Sequence, residues 1–584
     1  MKAARPTSHA LLTRHFLRQF LENDLISPDG DRSQQLAVVA ATMLCLTLFI
    51  STIMSVGYVG PLMTPGLAAS LSLSDKFFYM ALGMIVTALA AATQWDALAI
   101  DARDAAILEP LPVRPAIIRR AKLSAVAILG VGAALAVSAV PSVVFPLLLV
   151  YMLRDLSVFW LLVLMIAHAF FTVSAALFGY LTIAALREVM MAVLGVRWFS
   201  RVSPWVQGAL IVALGGSLLL LPAASDRVAQ RGFGGWRQAL PPMWFLGAYE
   251  MAVGPVIADL PSGRMRPRQA ENDLLARAVY AERRERFPEL ARQAGLAVLG
   301  TLLVGAAAYL WNARRQESLA VVPPAALRRR WKMLHAPANA LLLRRAAARA
   351  GFYFAIAAMW RSNTHRLTLA CAAAVGFAMA VVALSNSGVA SGRTSPRLLV
   401  MQPLLYGALL VGFRHVIRVP AELRANWGFQ LAWRERHRAF ITGAKAAAIV
   451  GLALPSLGVL LPLYVVTLGP WLALGHAALG LAGAIVFLEA LMVTYEKVPF
   501  TCTYLPSENM KALAPIYVIA FVIGAAIFAR LQYDALYGVG AISTSMTLVV
   551  AFAVLRLASL TRKRLPRVDF DEAPATFQRL GLDT

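Results

Sequence analysis

The stretch DARDAAILEPLPVRPAIIRRAK, Asp101 to Lys122, sets Asp101, Arg103, Asp104 and Glu109 ahead of Arg114, Arg119, Arg120 and Lys122. So polar a segment between apolar runs reads as a structured piece at a membrane surface. Pro110 and Pro112 interrupt any continuous helix through it, because each removes a backbone N–H and disfavours helical geometry in the residue before it. The segment is expected to form a short helix, a turn and a new helix. A second charged stretch, AELRANWGFQLAWRERHR from Ala421, carries Glu422, Arg424, Asn426, Trp427, Arg434 and Glu435. Elsewhere chemistry-bearing groups are sparse. Glu489 stands inside an apolar run, where an acid marks a substrate path or gate, an interhelical hydrogen bond or a position near the interface. His168 and His476 are weaker candidates of the same kind. The Trp244-Phe245 pair of PPMWFLGAYE is either an interfacial anchor or part of an external gate.

The catalytic patterns are missing. No GxxxxGK[ST] loop, HExxH, Gly-x-Ser-x-Gly or paired-carboxylate constellation occurs outside the charged loops, so the chain is expected not to be an enzyme and not to hydrolyse ATP alone. Three cysteines, Cys45, Cys371 and Cys502, imply no disulfide framework, and no second Cys or His stands at ligand spacing from Cys502. No metal or cofactor is expected.

The elements that must position these residues are set by composition. Of 584 residues, 59% are hydrophobic and only 15% charged, with a mean hydropathy of +0.67, which describes a polytopic, all-α membrane protein. The net charge of +25 lies in clusters between apolar runs, so it is a signal of membrane orientation rather than of nucleic-acid binding. The amino terminus lacks the apolar core and cleavage site of a signal peptide, and the first span is expected to be retained.

A bilayer core needs roughly 20 mostly apolar residues per helix. About twelve such runs are expected, near 36–56, 77–95, 122–146, 157–184, 204–222 and 293–312, then 366–386, 397–417, 441–467, 470–494, 512–530 and 539–561. They divide the chain into an amphipathic cytoplasmic segment (1–35), a first six-span half (36–312) containing a long extracytoplasmic loop (223–292), a basic cytoplasmic linker (313–365), a second six-span half (366–561) and a cytoplasmic tail (562–584). The Lys- and Arg-rich loops then fall on one side with both termini, while short opposite loops such as Gly57 to Asp75 carry almost none.

The two halves share a plan, the internal-repeat signal to seek in a transporter. Each opens with an amphipathic elbow helix: Leu12, Phe16 and Phe20 recur at four-residue spacing in the first, and GFYFAIAAMWRSNTHR from Gly351 plays that part in the second. Each charged segment after the second span ends in Ala-Lys, Ala121-Lys122 and Ala444-Lys445, and opens a third span containing Pro141 or Pro455. Within 223–292, RMRPRQAENDLLARAVYAERRERFPELARQ is expected to be a helix with Leu274, Leu275, Ala278 and Val279 as its apolar stripe, capping the outer face. The basic RRRWKMLHAPANALLLRR from Arg328 is suited to anionic lipid headgroups.

This order of elbow, two spans, charged segment and four spans resembles the transmembrane domain of ABC-2-type exporters, here duplicated in one chain. DARDAAILEPLPVRP, PPMWFLGAYE, VPAELRANWGFQ and KVPFTCTYLP look like strings of large bacterial membrane proteins labelled ABC-type permease-like. The layout covers nearly the whole chain, the strings about a tenth of it. The resemblance implies a bacterial cytoplasmic membrane, a separate ABC ATPase subunit docked beneath, and outward movement of a lipid-like or amphipathic compound. It also implies coupling helices that seat in the ATPase, with Asp101, Arg103, Asp104, Glu109 and Arg114 in the first half and Glu422, Arg424, Asn426 and Trp427 in the second. The alternatives are solvated loops whose arginines and aromatics merely anchor helix ends, and a stand-alone membrane protein, either a secondary carrier or a non-transporting scaffold.

Overall fold

The computed structural model describes residues 7–21, 45, 47–52, 64–100, 102–153, 157–231, 238–260, 266–315, 345–385, 396–421, 426–432, 437–495, 497–501, 508–538 and 540–561. Every regular element among them is helical, and the chain divides into two compact units, Met1–Pro324 and Ala325–Thr584. Among the described residues, nine helices are long and apolar enough to cross a membrane, which fits a multi-pass membrane protein. The difference from twelve has three sources. The run at 36–56 lies mostly outside the described residues; those at 157–184 and 204–222 fall in one helical stretch; and the run at 397–417 is split into a four-residue and a sixteen-residue helix.

The first unit runs α1 (Ser8–Leu21), α2 (Pro65–Thr93), α3 (Ala102–Leu108), α4 (Pro115–Leu153), α5 (Val158–Arg231), α6 (Pro241–Ala258), α7 (Pro267–Arg284) and α8 (Phe287–Arg315). Its centre is α2, which packs on α4, α5, α6 and α7. Both ends of α2 are closed by side chains. At its start Pro65 sits where no intrahelical N–H is needed, the Thr64 hydroxyl accepts from the Leu67 N–H at 3.3 Å, and Asp273 Oδ1 accepts from the Gly66 N–H at 2.7 Å. In its last turn Gln207 donates to the Ala92 carbonyl at 3.0 Å, and just past it Arg187 donates to the Trp95 carbonyl at 3.0 Å. α5 is continuous except at Gly195, whose φ of 65° and ψ of 165° suit a residue with no Cβ.

Within 223–292, expected as an extracytoplasmic loop carrying one helix, the described residues are largely helical, with α6 in addition to α7. α6 opens on Pro241 and Pro242 and buries Met243, Phe245, Leu246, Tyr249 and Val253 against α2. α7 is the expected helix, but turned over. Leu274 and Leu275 are 68% and 62% exposed and Val279 is exposed, while Asp273, Tyr280 and Arg283 are buried. The polar face wins because it satisfies other helices: Asp273 caps α2, and Arg277 donates to the Ala258 and Leu260 carbonyls at 2.6 and 2.7 Å at the end of α6.

The second unit runs α9 (Ala346–Arg361), α10 (Asn363–Ser385), α11 (Pro396–Leu399), α12 (Met401–Val416), α13 (Trp427–Ala432), α14 (His437–Ala448), a π-helical turn (Ile449–Ala453), α15 (Leu454–Leu468), α16 (Pro470–Met492), α17 (Glu508–Tyr537) and α18 (Ala541–Thr561). The widened turn precedes Pro455, which has no N–H to bond back and whose ring crowds the turn before it. α9 lies on α14 backbone to backbone: a Cβ on Gly351 would strike the Phe440 carbonyl oxygen, and one on Gly443 the Ala348 carbonyl oxygen.

Candidate functional site

α3 is seated on α1 and the start of α4 by a small core of Phe16, Ile100, Ala105, Leu108, Ile118 and Ala121. The Phe16 ring expected to face lipid therefore lies under α3, with Lys122 Nζ 4.7 Å above its centroid. Asp104 is buried and turned toward α1, with His15 Nε2 3.5 Å from its Oδ1. What α3 and its turn present outward is Ile107, Glu109, Leu111 and Arg114, two apolar residues and two opposite charges. Asp101 and the Arg103 side chain lie outside the described residues.

In the second unit Glu422, Arg424, Arg434 and Glu435 likewise lie outside the described residues. Asn426 is buried, donating to the Thr501 carbonyl at 2.6 Å, whereas Trp427 is 59% exposed. Two strings that are 78 residues apart at their starts are thereby joined, VPAELRANWGFQ from Val419 and KVPFTCTYLP from Lys497. Phe500 donates to the Ile417 carbonyl at 2.8 Å and accepts from the Ala421 N–H at 3.0 Å. It holds a φ of 64°, a rare conformation for a residue with a side chain, and its ring packs on Phe354 and His365. His365 adds a bond from Nε2 to the Val419 carbonyl at 3.0 Å.

Glu489 is buried on α16 between two cations. Lys445 Nζ of α14 lies 2.5 Å from its Oε2, and Arg556 Nη1 of α18 lies 3.5 Å from its Oε1. The acid thus ties three helices, and the Ala444-Lys445 signal in the sequence marks one of its partners. Trp244 donates to the Gln238 carbonyl at 2.8 Å, holding the start of α6, and Phe245 packs in the core against Phe178 with centroids 5.5 Å apart.

A buried polar cluster in the first unit was not among the residues expected from the sequence. Lys76 of α2 and Glu250 of α6 are each 1% exposed at the side chain, with Nζ 2.5 Å from Oε1. The Tyr280 hydroxyl of α7 donates to Glu250 Oε2 at 2.6 Å, and Lys76 Nζ lies 4.7 Å above the Tyr249 ring. Burial, with the Glu250 carboxylate beside it, holds the Tyr280 phenol above its ordinary range, so it remains a donor. Next to this triad Tyr79, Phe145, His168 and Tyr249 form a ring-to-ring nest with centroids 5.0–5.8 Å apart. Among the described residues neither nitrogen of His168 has a hydrogen-bond partner, and the same holds for His476, which meets the Tyr464 ring at 4.6 Å. The signal for this cluster was an acid within the otherwise apolar PPMWFLGAYEMAVGPVIA and a lysine at the head of KFFYMALGM. Compared with protein-family models, with curated proteins and with solved structures, the chain matches none.

Proposed function

We propose that the chain is the permease of an ABC-2-like exporter in a bacterial cytoplasmic membrane, two six-span halves fused, with both termini inside. It works with a separate ABC ATPase subunit and moves a lipid-like or amphipathic compound outward. The observation that supports this reading is the seat of α3. A seven-residue helix between two spans is too short to be stable alone, yet it is buttressed by α1 and α4 and offers Ile107, Glu109, Leu111 and Arg114 outward. A rigid element with mixed apolar and charged contacts, joined directly to a span, is what transmission of motion from a docked subunit requires. The test is purification from native membranes under mild detergent. A co-purifying subunit with a P-loop, and MgATP hydrolysis that depends on it, is the expected result; a chain that purifies alone and transports without ATP overturns the reading.

A second reading rests on Lys76, Glu250 and Tyr280. Ionisable groups buried at membrane depth mark proton paths in carriers, and protonating Glu250 would leave Lys76 without its counter-charge. Under that reading the chain is a secondary carrier whose flux follows a proton gradient rather than ATP.

A further inference from the structure

The second unit buries a nest of amide, phenol and imidazole groups halfway along a span. α16 has 23 residues, of which Gly480 is the eleventh; at 1.5 Å per residue its length roughly matches the roughly 30 Å hydrocarbon core. Gly480 leaves room for the Gln402 amide of α12, which a Cβ there would strike. Gln402 Nε2 donates to the Tyr406 hydroxyl at 2.9 Å, one turn along α12. His476 stands one turn before Gly480 on the same face of α16. The Tyr464 ring of α15 meets the His476 ring edge-on, with centroids 4.6 Å apart. The Tyr464 hydroxyl lies near Tyr406 and the Gln402 backbone but bonds to neither. On α17, Leu536 lies against Gly475 and Phe528 against Gly483, so Gln532, midway between them, faces α16 at about the depth of Gly480.

Gln402, Tyr464, His476 and Gln532 are all fully buried. Among the described residues six of their polar atoms nevertheless have no hydrogen-bond partner: Gln402 Oε1, the Tyr464 hydroxyl, both nitrogens of His476 and both amide atoms of Gln532. Leaving a buried polar group unpaired is costly, and more so where lipid rather than water lies beyond. The set mixes donors, from the phenol, an amide and an imidazole, with acceptors, from two amides and the imidazole. It contains no carboxylate, lysine or arginine, and Glu489, nine residues beyond Gly480 on α16, is already held by Lys445 and Arg556. Such a set suits a hydroxyl, which both donates and accepts, better than an anion or a cation. The first unit repeats part of the pattern in its corresponding span. There both His168 nitrogens and the hydroxyl of the neighbouring Tyr249 are unpartnered among the described residues, although the Lys76–Glu250 pair stands beside them.

We propose that the second-unit nest binds internal water at mid-membrane depth, bridging α12, α15, α16 and α17. A buried water makes about three hydrogen bonds, so the six unpaired atoms call for about two waters. The site does not depend on the exporter reading, since it needs neither a partner subunit nor a gradient.

The test is X-ray hydroxyl-radical footprinting of the full chain in lipid nanodiscs, with heavy-oxygen water mixed in shortly before exposure. Radicals arise where water lies and apolar interiors stay dry, so Tyr464 and His476 are expected to be oxidised at least about tenfold faster than Phe413, which is equally buried but lies in the apolar core. Their products are expected to carry ordinary oxygen while those of the exposed Tyr537 already carry the heavy isotope, which separates bound water from bulk. Gln402→Leu/Gln532→Leu removes three of the six unpaired atoms and is expected to bring Tyr464 down toward the Phe413 rate. The wild-type comparison decides the matter even if that variant fails to fold. Oxidation of Tyr464 and His476 no faster than that of Phe413 overturns the proposal, as does heavy oxygen entering their products as fast as those of Tyr537.

Discussion

Lys76 and Glu250 carry two full charges into the core of the first unit, and the cost of removing them from water is met only because each finds the other and Tyr280. Deleting one partner strands the other. Lys76→Met is predicted to destabilise the protein by about 3–5 kcal/mol, whereas Lys76→Met with Glu250→Leu costs much less, because the stranded charge is gone. Thermal unfolding of the wild type, Lys76→Met, Glu250→Leu and the double variant in detergent measures the coupling; equal losses in the single and double variants would show that the pair is not the reason for the instability. Glu489 was legible in the sequence because an acid inside an apolar run is conspicuous, and its partner Lys445 was flagged by the Ala-Lys repeat. Lys76 and Glu250 were not, for a physical reason. Lys76 stands one residue before its expected span, and Glu250 lies outside every expected span, in the segment 223–292 assigned to an extracytoplasmic loop. Only the packing of α6 on α2 brings the two together.

At the level of elements, glycine decides where backbones meet. Gly443→Leu is predicted to push α9 off α14 and cost about 1–3 kcal/mol, as overpacking a tight contact does. Gly428→Leu, on α13 where a Cβ meets nothing within 4 Å, is the matched control and is predicted to be neutral. The readout is again the unfolding midpoint, and a neutral Gly443→Leu would mean the elbow is not held by this contact. Gly195→Ala places a Cβ at a φ of 65° and is predicted to cost about 1–3 kcal/mol, although the space around it is open. Helix positions were legible, since long apolar runs leave little choice. Faces were less so: in α7, periodicity picked the stripe at Leu274, Leu275 and Val279, but the orphan groups at the ends of α2 and α6 claimed the opposite face through Asp273 and Arg277.

For the whole molecule, the proposed orientation and partnership are both tested at charged segments. With Cys45, Cys371 and Cys502 replaced, a single cysteine at the exposed Leu275 is predicted to react with an impermeant thiol reagent in intact cells, and one at Arg120 only after the cells are opened. The reverse pattern would invert the topology. The central claim is that α3 is a docking element for an ATPase, and the structure changes how to test it. Asp104 faces His15 and α1, so reversing its charge would disturb the seat itself. Glu109 and Arg114 are exposed and lie outside that core. The decisive measurement is therefore recovery of the ABC ATPase subunit with affinity-purified wild type and with Glu109→Lys/Arg114→Glu, at matched expression and unfolding midpoint. Misplaced charges at an interface are worth several kcal/mol, so the variant is predicted to retain less than about a tenth of the ATPase; equal recovery from both proteins contradicts the account.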